Sequence, residues 1–124
     1  MNPRSITEKL LLQIGGQPQL NGFEYVVEAI DYCLNNPGAE HNLCNEVYPH
    51  VADKFLSDFK GTPWKRIERC IRLFIETIFQ YGDMYEITKN FGSICSASTG
   101  KTTNAQFICT LLIRVRHLME ESND

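Results

Sequence analysis

Positive charge is concentrated between positions 60 and 72, although the chain as a whole has a net charge of −3. This segment contains one acidic residue, Glu68, and five basic ones: Lys60, Lys65, Arg66, Arg69 and Arg72. Cationic side chains can bind phosphates, and arginine can also donate two hydrogen bonds to a guanine edge, while a glutamate can accept from cytosine. The residue types and their spacing therefore favour recognition of nucleic acid over catalysis.

The position of these charges within a helix separates two interpretations. Lys65 and Arg66 lie near the predicted helix start, where the helix dipole disfavours cations. A recognition helix needs that arrangement, because its N-terminal residues meet base edges and phosphates. The alternative is an ordinary solvated face with ion pairs one turn apart, such as Glu68–Arg72. The sequence leaves both interpretations open.

The helix that carries these charges is well delimited. Thr62 and Pro63 are typical of an N-cap and a first helical residue, and Gly82 is typical of a helix end. Lys65, Arg69 and Arg72 project to one side, flanked by Arg66 and Glu68. The opposite side is a continuous apolar stripe made of Ile67, Cys70, Ile71, Phe74, Ile75 and Ile78.

The rest of the chain also shows helical periodicity, with no sustained alternation typical of strands. Capping boxes are predicted at Ser5–Glu8 and Thr103–Gln106, a turn at Asn21-Gly22, and Pro49 in the first turn of a helix. The predicted helices lie at about 6–14, 23–34, 40–47, 49–59, 63–81, 84–90 and 104–118. The fold class is all-α, with six to seven helices in a single domain over 1–124.

Composition narrows the cellular setting and the function classes. No apolar run is long enough to span a membrane, and the N-terminus is a poor signal peptide. Five widely spaced cysteines without a C-x-x-C pattern fit a reduced, cytoplasmic protein. We expect no membrane partner.

Two further motifs resemble catalytic or ligand sites. "STGKTT" at 98–103 lacks the first glycine of a phosphate-binding loop, since Cys95 occupies that position, and no strand precedes it. Lys101 and Thr103 are better suited to capping the last helix or touching a phosphate. His41, Cys44 and His50 do not complete a tetrahedral metal site. We therefore expect no catalytic residue, no metal and no cofactor, and hence no enzyme.

An ordered set of segments resembles the C-terminal DNA-binding effector domain of the stage-zero sporulation response regulator (sporulation protein A) family of endospore-forming bacteria. The segments are "QIGGQPQLNGFEYVVEAI" (13–30), "VYPHVADKF" (47–55), "RIERCIRLFIE" (66–76), "NFG" (90–92) and "KTTNAQFI" (101–108). They occur in the family's order and nearly its spacing. The link at 56–65 is longer than in the family, and we expect no receiver domain before the effector domain.

The resemblance implies a central helix-turn-helix and a role in transcription regulation during sporulation. It implies binding to double-stranded DNA as tandem or dimerised copies, and contact with the RNA polymerase sigma subunit. Arg66, Glu68, Arg69 and Arg72 would occupy recognition-helix positions, and the full set of predicted DNA contacts adds Lys54, Lys65 and Lys101. The segment Gly82–Phe91 would correspond to the polymerase contact, with candidates Tyr85, Glu86, Thr88 and Phe91.

A second hypothesis is a protein-interaction module that keeps this fold without binding DNA. Its longer link and acidic total charge favour this alternative, and Trp64 could anchor a partner. DNA binding should weaken steeply as salt rises, through counterion release. An interface anchored by aromatic residues should depend on salt much less.

Overall fold

The computed structural model describes residues 2–58, 60–92 and 102–122, and within these ranges the protein is all-α with no strand. Six α-helices are present in this part of the chain, which confirms the predicted class. They are α1 (Pro3–Gln13), α2 (Asn21–Asn35), α3 (Tyr48–Phe55), α4 (Pro63–Tyr81), α5 (Met84–Phe91) and α6 (Asn104–Ser122).

The predicted helix at 40–47 forms helical turns of two other kinds. Ala39–His41 is a 3-10 turn, entered through Gly38 with φ of 95°, and Leu43–Val47 is a π-helical turn that runs directly into α3. Pro49, in the first turn of α3, has no N–H with which to continue an α-type ladder back to residue 45. A wider turn before α3 accommodates that missing donor.

The start of α1 differs from the predicted capping box. Asn2 is the N-cap, and its Oδ1 accepts a hydrogen bond from the Arg4 backbone N–H at 2.8 Å. Pro3 follows at the first helical position, where its missing N–H costs nothing. The prediction of Ser5 as N-cap is therefore wrong, because the Asn-Pro pair starts the helix earlier.

Asn21 and Gly22 begin α2 instead of forming the predicted turn. A Cβ placed on Gly22 would lie 2.4 Å from the Cβ of Phe74 and 2.7 Å from the carbonyl oxygen of Cys70. Such distances are too short for any side chain, so glycine is required by the close approach of α2 to α4. Gly22 therefore acts as a packing residue, and the prediction of a turn is wrong.

The core lies between α2 and α4, with α1, α3, α5 and α6 packed around them. On α4, the predicted apolar stripe is buried at Ile67, Ile71, Phe74, Ile75 and Ile78. The helices α3 and α4 pack against each other and form the predicted helix-turn-helix, joined by residues 56–62. None of the described helices has the length and apolar character needed to cross a bilayer.

Candidate functional site

The first turns of α4 expose a basic face, which we define as Lys65, Arg66, Arg69 and Arg72 together with Glu68. All four cations are exposed, and Glu68 is partly exposed. Thr62 is the N-cap and Pro63 the first helical residue, as predicted, although the Thr62 side chain makes no capping hydrogen bond. The buried stripe on the opposite side fixes the rotation of α4 in the fold, so this face must point outward.

The charges at the start of α4 oppose the helix dipole. No acidic residue lies in its first turn, whereas Lys65 and Arg66 do. Cations at this end lose roughly 0.3–1 kcal/mol relative to the opposite end when exposed. An anion that binds here would be attracted both by the side chains and by the free N–H groups of the helix terminus.

Glu68 and Arg72 form an ion pair one turn apart, with the Arg72 Nη1 3.1 Å from the Glu68 Oε1. This is the pair that a simple solvated face would contain. Exposed pairs of this kind contribute only about 0.3–0.5 kcal/mol. The pair therefore stabilises the helix little and can open when a stronger partner is present.

The other three cations have different surroundings. Within the described residues, Arg69 makes no hydrogen bond or ion pair. The Lys65 ammonium lies 5.8 Å from the centroid of the Trp64 ring, at the limit of a cation–π contact, and Trp64 itself packs against the core. Burial raises the pKa of Tyr25 in α2, and the nearby Arg66 cation partly offsets that rise.

Lys54, the predicted contact in α3, belongs to a cluster centred on Glu28 of α2. The Glu28 carboxylate is 4% exposed and accepts from Lys54 at 2.7 Å, from Arg4 at 2.6 Å and from His50 at 2.8 Å. Burial alone would raise the pKa of Glu28, but these three hydrogen bonds outweigh it and lower the pKa to about 2. We call these four residues the Glu28 cluster.

The Glu28 cluster ties the first helix of the helix-turn-helix to the body of the protein. Arg4 comes from α1, Glu28 from α2, and His50 and Lys54 from α3. The His50 ring also lies 4.3 Å, centroid to centroid, from the Tyr32 ring of α2. The Lys54 side chain is 49% exposed, so it can reach a ligand only in competition with Glu28.

A second polar contact links α6 to both helices of the helix-turn-helix. The Asn104 side-chain amide donates to the Tyr48 hydroxyl of α3 at 3.2 Å and to the Glu68 carbonyl of α4 at 3.1 Å. The predicted capping box beside it is confirmed, since Thr103 Oγ1 accepts from the Gln106 N–H and Gln106 Oε1 accepts from the Thr103 N–H, each at 3.1 Å. Lys101 lies outside the described residues.

Sequence reasoning missed both polar clusters. Glu28 interrupts the apolar run "YVVEAI", and a charge inside a buried helix was a usable signal that partners lie nearby. Arg4 and His50 gave no signal, because their positions relative to Glu28 depend on how α1 and α3 pack. The sequence around Asn104 predicts only a helix start.

The predicted polymerase-contact segment forms α5, which is capped by Asp83. Tyr85 is 73% exposed and Thr88 is exposed, while Glu86 accepts a hydrogen bond from Gln13 at 2.7 Å. Phe91 is 4% exposed and stacks on Phe107 with ring centroids 4.8 Å apart. Its ring belongs to the core, because the apolar side of α5 turns inward, so it is not available to a partner.

An open groove of about 1150 Å³ borders the basic face. Its apolar lining includes Leu43, Ile75 and Phe79, and Glu68 and Arg72 stand at its edge.

His41, Cys44 and His50 do not converge, and no cluster suited to a metal ion is found among the described residues. Cys44 is exposed and does not take part in the core.

A known protein family matches nearly the whole of this architecture. Residues 7–115 match the family model described as "Sporulation initiation factor Spo0A C terminal". The matched range includes the helix-turn-helix, the basic face and the Glu28 cluster except for Arg4.

Proposed function

This chain belongs to the family of C-terminal domains of the sporulation initiation factor Spo0A, a family of DNA-binding effector domains, and from that premise we propose that it is a sequence-selective transcription regulator. In this proposal α4 enters the major groove and reads a short DNA site. The alternative function is binding of a protein partner through the same fold, without DNA binding.

The observation that carries the proposal is the outward-facing basic face at the start of α4, backed by a stripe that is buried at Ile67, Ile71, Phe74, Ile75 and Ile78. A helix held in this way can be inserted as a rigid unit, and its first turns present the side chains to the DNA. Half or more of protein–DNA hydrogen bonds go to the backbone and the remainder read bases. We assign Lys65, Lys54 and Lys101 to phosphates, and Arg66, Glu68, Arg69 and Arg72 to base edges.

The test of this function is selection of bound duplexes from a random pool, followed by fluorescence-anisotropy titration of the enriched site at several salt concentrations. The logarithm of affinity should fall with the logarithm of salt, by roughly 0.9 for each phosphate contact. No enrichment and no binding at low salt by folded protein would rule out the proposed function.

The Arg69→Ala variant should lose about 1–3 kcal/mol of affinity for the selected site and relax its preference at one base pair. Arg69 is exposed and has no hydrogen bond or ion pair within the described residues, so its removal should leave the fold intact. The measurement is a set of titrations against the selected site and its single-base variants.

The matched control is Lys9→Ala, which removes one exposed positive charge from α1. It should change affinity for all duplexes only slightly. Equal loss by Arg69→Ala on every sequence would make Arg69 a phosphate contact, and no loss would refute its assignment.

One observation favours the alternative, a protein-interaction function. At the junction of α4 and α5, Tyr81 is 72% exposed, Met84 51% and Tyr85 73%. Aromatic and methionine side chains of this kind are enriched in protein interfaces. We propose that, without DNA binding, a partner protein binds at this junction, with Glu86 and Thr88. If the domain does bind DNA, we propose that the partner at this junction is the RNA polymerase sigma subunit and that two copies bind DNA side by side.

The same titrations separate the two functions. Affinity for DNA should fall steeply as the salt concentration rises. Affinity for a partner at the α4–α5 junction should change little with salt. A Tyr85→Ala variant that keeps DNA affinity but loses promoter activation would assign the junction to the polymerase.

A further inference from the structure

The link between α3 and α4 contributes little to the angle between these two helices. Among the described residues of the link, Leu56 packs partly buried against the core, and the others are exposed, namely Ser57, Asp58, Lys60, Gly61 and Thr62. Exposed link residues contribute little to the angle between the helices that they connect. The orientation of α4 relative to α3 therefore depends on the direct packing of the two helices and on their contacts with other elements.

Asn104 supplies such a contact at the point where three helices meet. It is the first residue of α6, and its Nδ2 donates to the hydroxyl of Tyr48, the first residue of α3. The same Nδ2 donates to the carbonyl of the peptide that joins Glu68 to Arg69. One amide group thus holds α3 and the backbone immediately before Arg69.

We propose that Asn104 is a positioning residue that sets the orientation of α4 and so directs Arg69 and its neighbours toward DNA. The inference rests on the proposed function for its consequence, but the geometry that it describes can be measured without DNA. The donor from α6 contacts a backbone carbonyl of α4. A side-chain substitution in α4 therefore cannot substitute for this contact.

The start of α6 does not require this amide. Thr103 and Gln106 already exchange two hydrogen bonds in the capping box, and neither involves the Asn104 side chain. Tyr48 is 2% exposed, and burial raises the pKa of its phenol to about 12. Its hydroxyl therefore stays neutral throughout the pH range of binding experiments.

Two variants of Asn104 and one control separate positioning from simple stabilisation of α6. Asn104→Asp keeps the shape and suits a helix N-terminus, but its carboxylate has no proton to donate to the Glu68 carbonyl. Asn104→Ala removes the side chain. The control, Thr103→Ala, removes the cap of the same helix and leaves the contact with α4 in place.

The first measurement is the ratio of affinities for the selected and random duplexes, at a temperature well below the melting point of each variant. We expect both Asn104 variants to lower this ratio about tenfold, the size of one misaligned base contact. Thr103→Ala should lower the melting temperature and leave the ratio unchanged. An unchanged ratio in Asn104→Asp, or an equal fall in Thr103→Ala, would overturn the proposal.

The second measurement uses residual dipolar couplings of the free protein to compare the orientation of α4 with that of α6. A rotation of α4 in Asn104→Asp, absent in Thr103→Ala, is the expected result, and an unchanged orientation would overturn the proposal. If the wild-type protein binds no DNA, the proposed function fails, and these couplings still decide whether Asn104 positions α4.

Discussion

A glutamine in place of Glu28 is expected to lower the free energy of unfolding by about 3 kcal/mol at neutral pH. The substitution keeps the size of the side chain but removes the charge that Arg4, His50 and Lys54 share. Breaking a buried ion cluster from one side costs about 3–5 kcal/mol. The lower end applies, because Arg4 and Lys54 are partly exposed and can regain water.

The measurement is denaturant unfolding of Glu28→Gln beside Glu24→Gln. Glu24 lies one turn earlier on α2 and is exposed, so its substitution should change the stability by less than about 0.5 kcal/mol. If both variants lost the same small amount, the Glu28 cluster would contribute no more than an ordinary surface charge.

The stability of Glu28→Gln should also depend on pH differently from that of the wild-type protein. The pKa of Glu28 is lowered from 4.5 to about 2, so its contribution is fully present above about pH 5 and is lost as the pH falls through about 2. Wild-type protein should therefore lose more stability than Glu28→Gln over that acid range. If the free energy of unfolding fell equally with pH in the two proteins, the lowered pKa of Glu28 would be contradicted.

Valine in place of Gly22 is expected to cost about 3 kcal/mol of stability, the upper end of the range for overpacking. Even a single Cβ would lie 2.4 Å from the Cβ of Phe74 and 2.7 Å from the Cys70 carbonyl oxygen. Neither atom is the end of a flexible side chain, so α2 and α4 would have to move apart. Any gain in helix propensity is small beside this clash.

Thermal and denaturant unfolding of Gly22→Val should be compared with Asn21→Val. The control introduces the same side chain one residue earlier, at an exposed position of the same helix. Because α4 carries the basic face, Gly22→Val should also weaken DNA binding, whereas Asn21→Val should not. Equal stability of the two variants would mean that the helices are not in close contact at Gly22.

The Glu28 cluster and Gly22 both help to place the two helices of the helix-turn-helix. The Glu28 cluster holds α3 against α1 and α2, and Gly22 lets α4 approach α2 closely. A DNA-reading helix must be held within a fraction of an ångström of its working position to use directional hydrogen bonds. If α4 reads DNA as proposed, the contacts that place α3 and α4 therefore contribute to binding even where they never touch DNA.

Local features of the fold were readable from the sequence alone. The start of α4 at Thr62-Pro63, its end at Gly82 and the capping box of Thr103 and Gln106 were all predicted and are confirmed. So was the division of α4 into a buried stripe and a basic face. Each depends on residues within a few turns of one another, and helical periodicity and capping act over that distance.

The tertiary structure alone decided which distant residues meet. Glu28 finds its partners at positions 4, 50 and 54, Gly22 faces residues 70 and 74, and Asn104 reaches positions 48 and 68. It also decided that Phe91 turns into the core while Tyr85 stays outside. These outcomes depend on how the helices cross and rotate in three dimensions, which the pattern within any one helix does not specify.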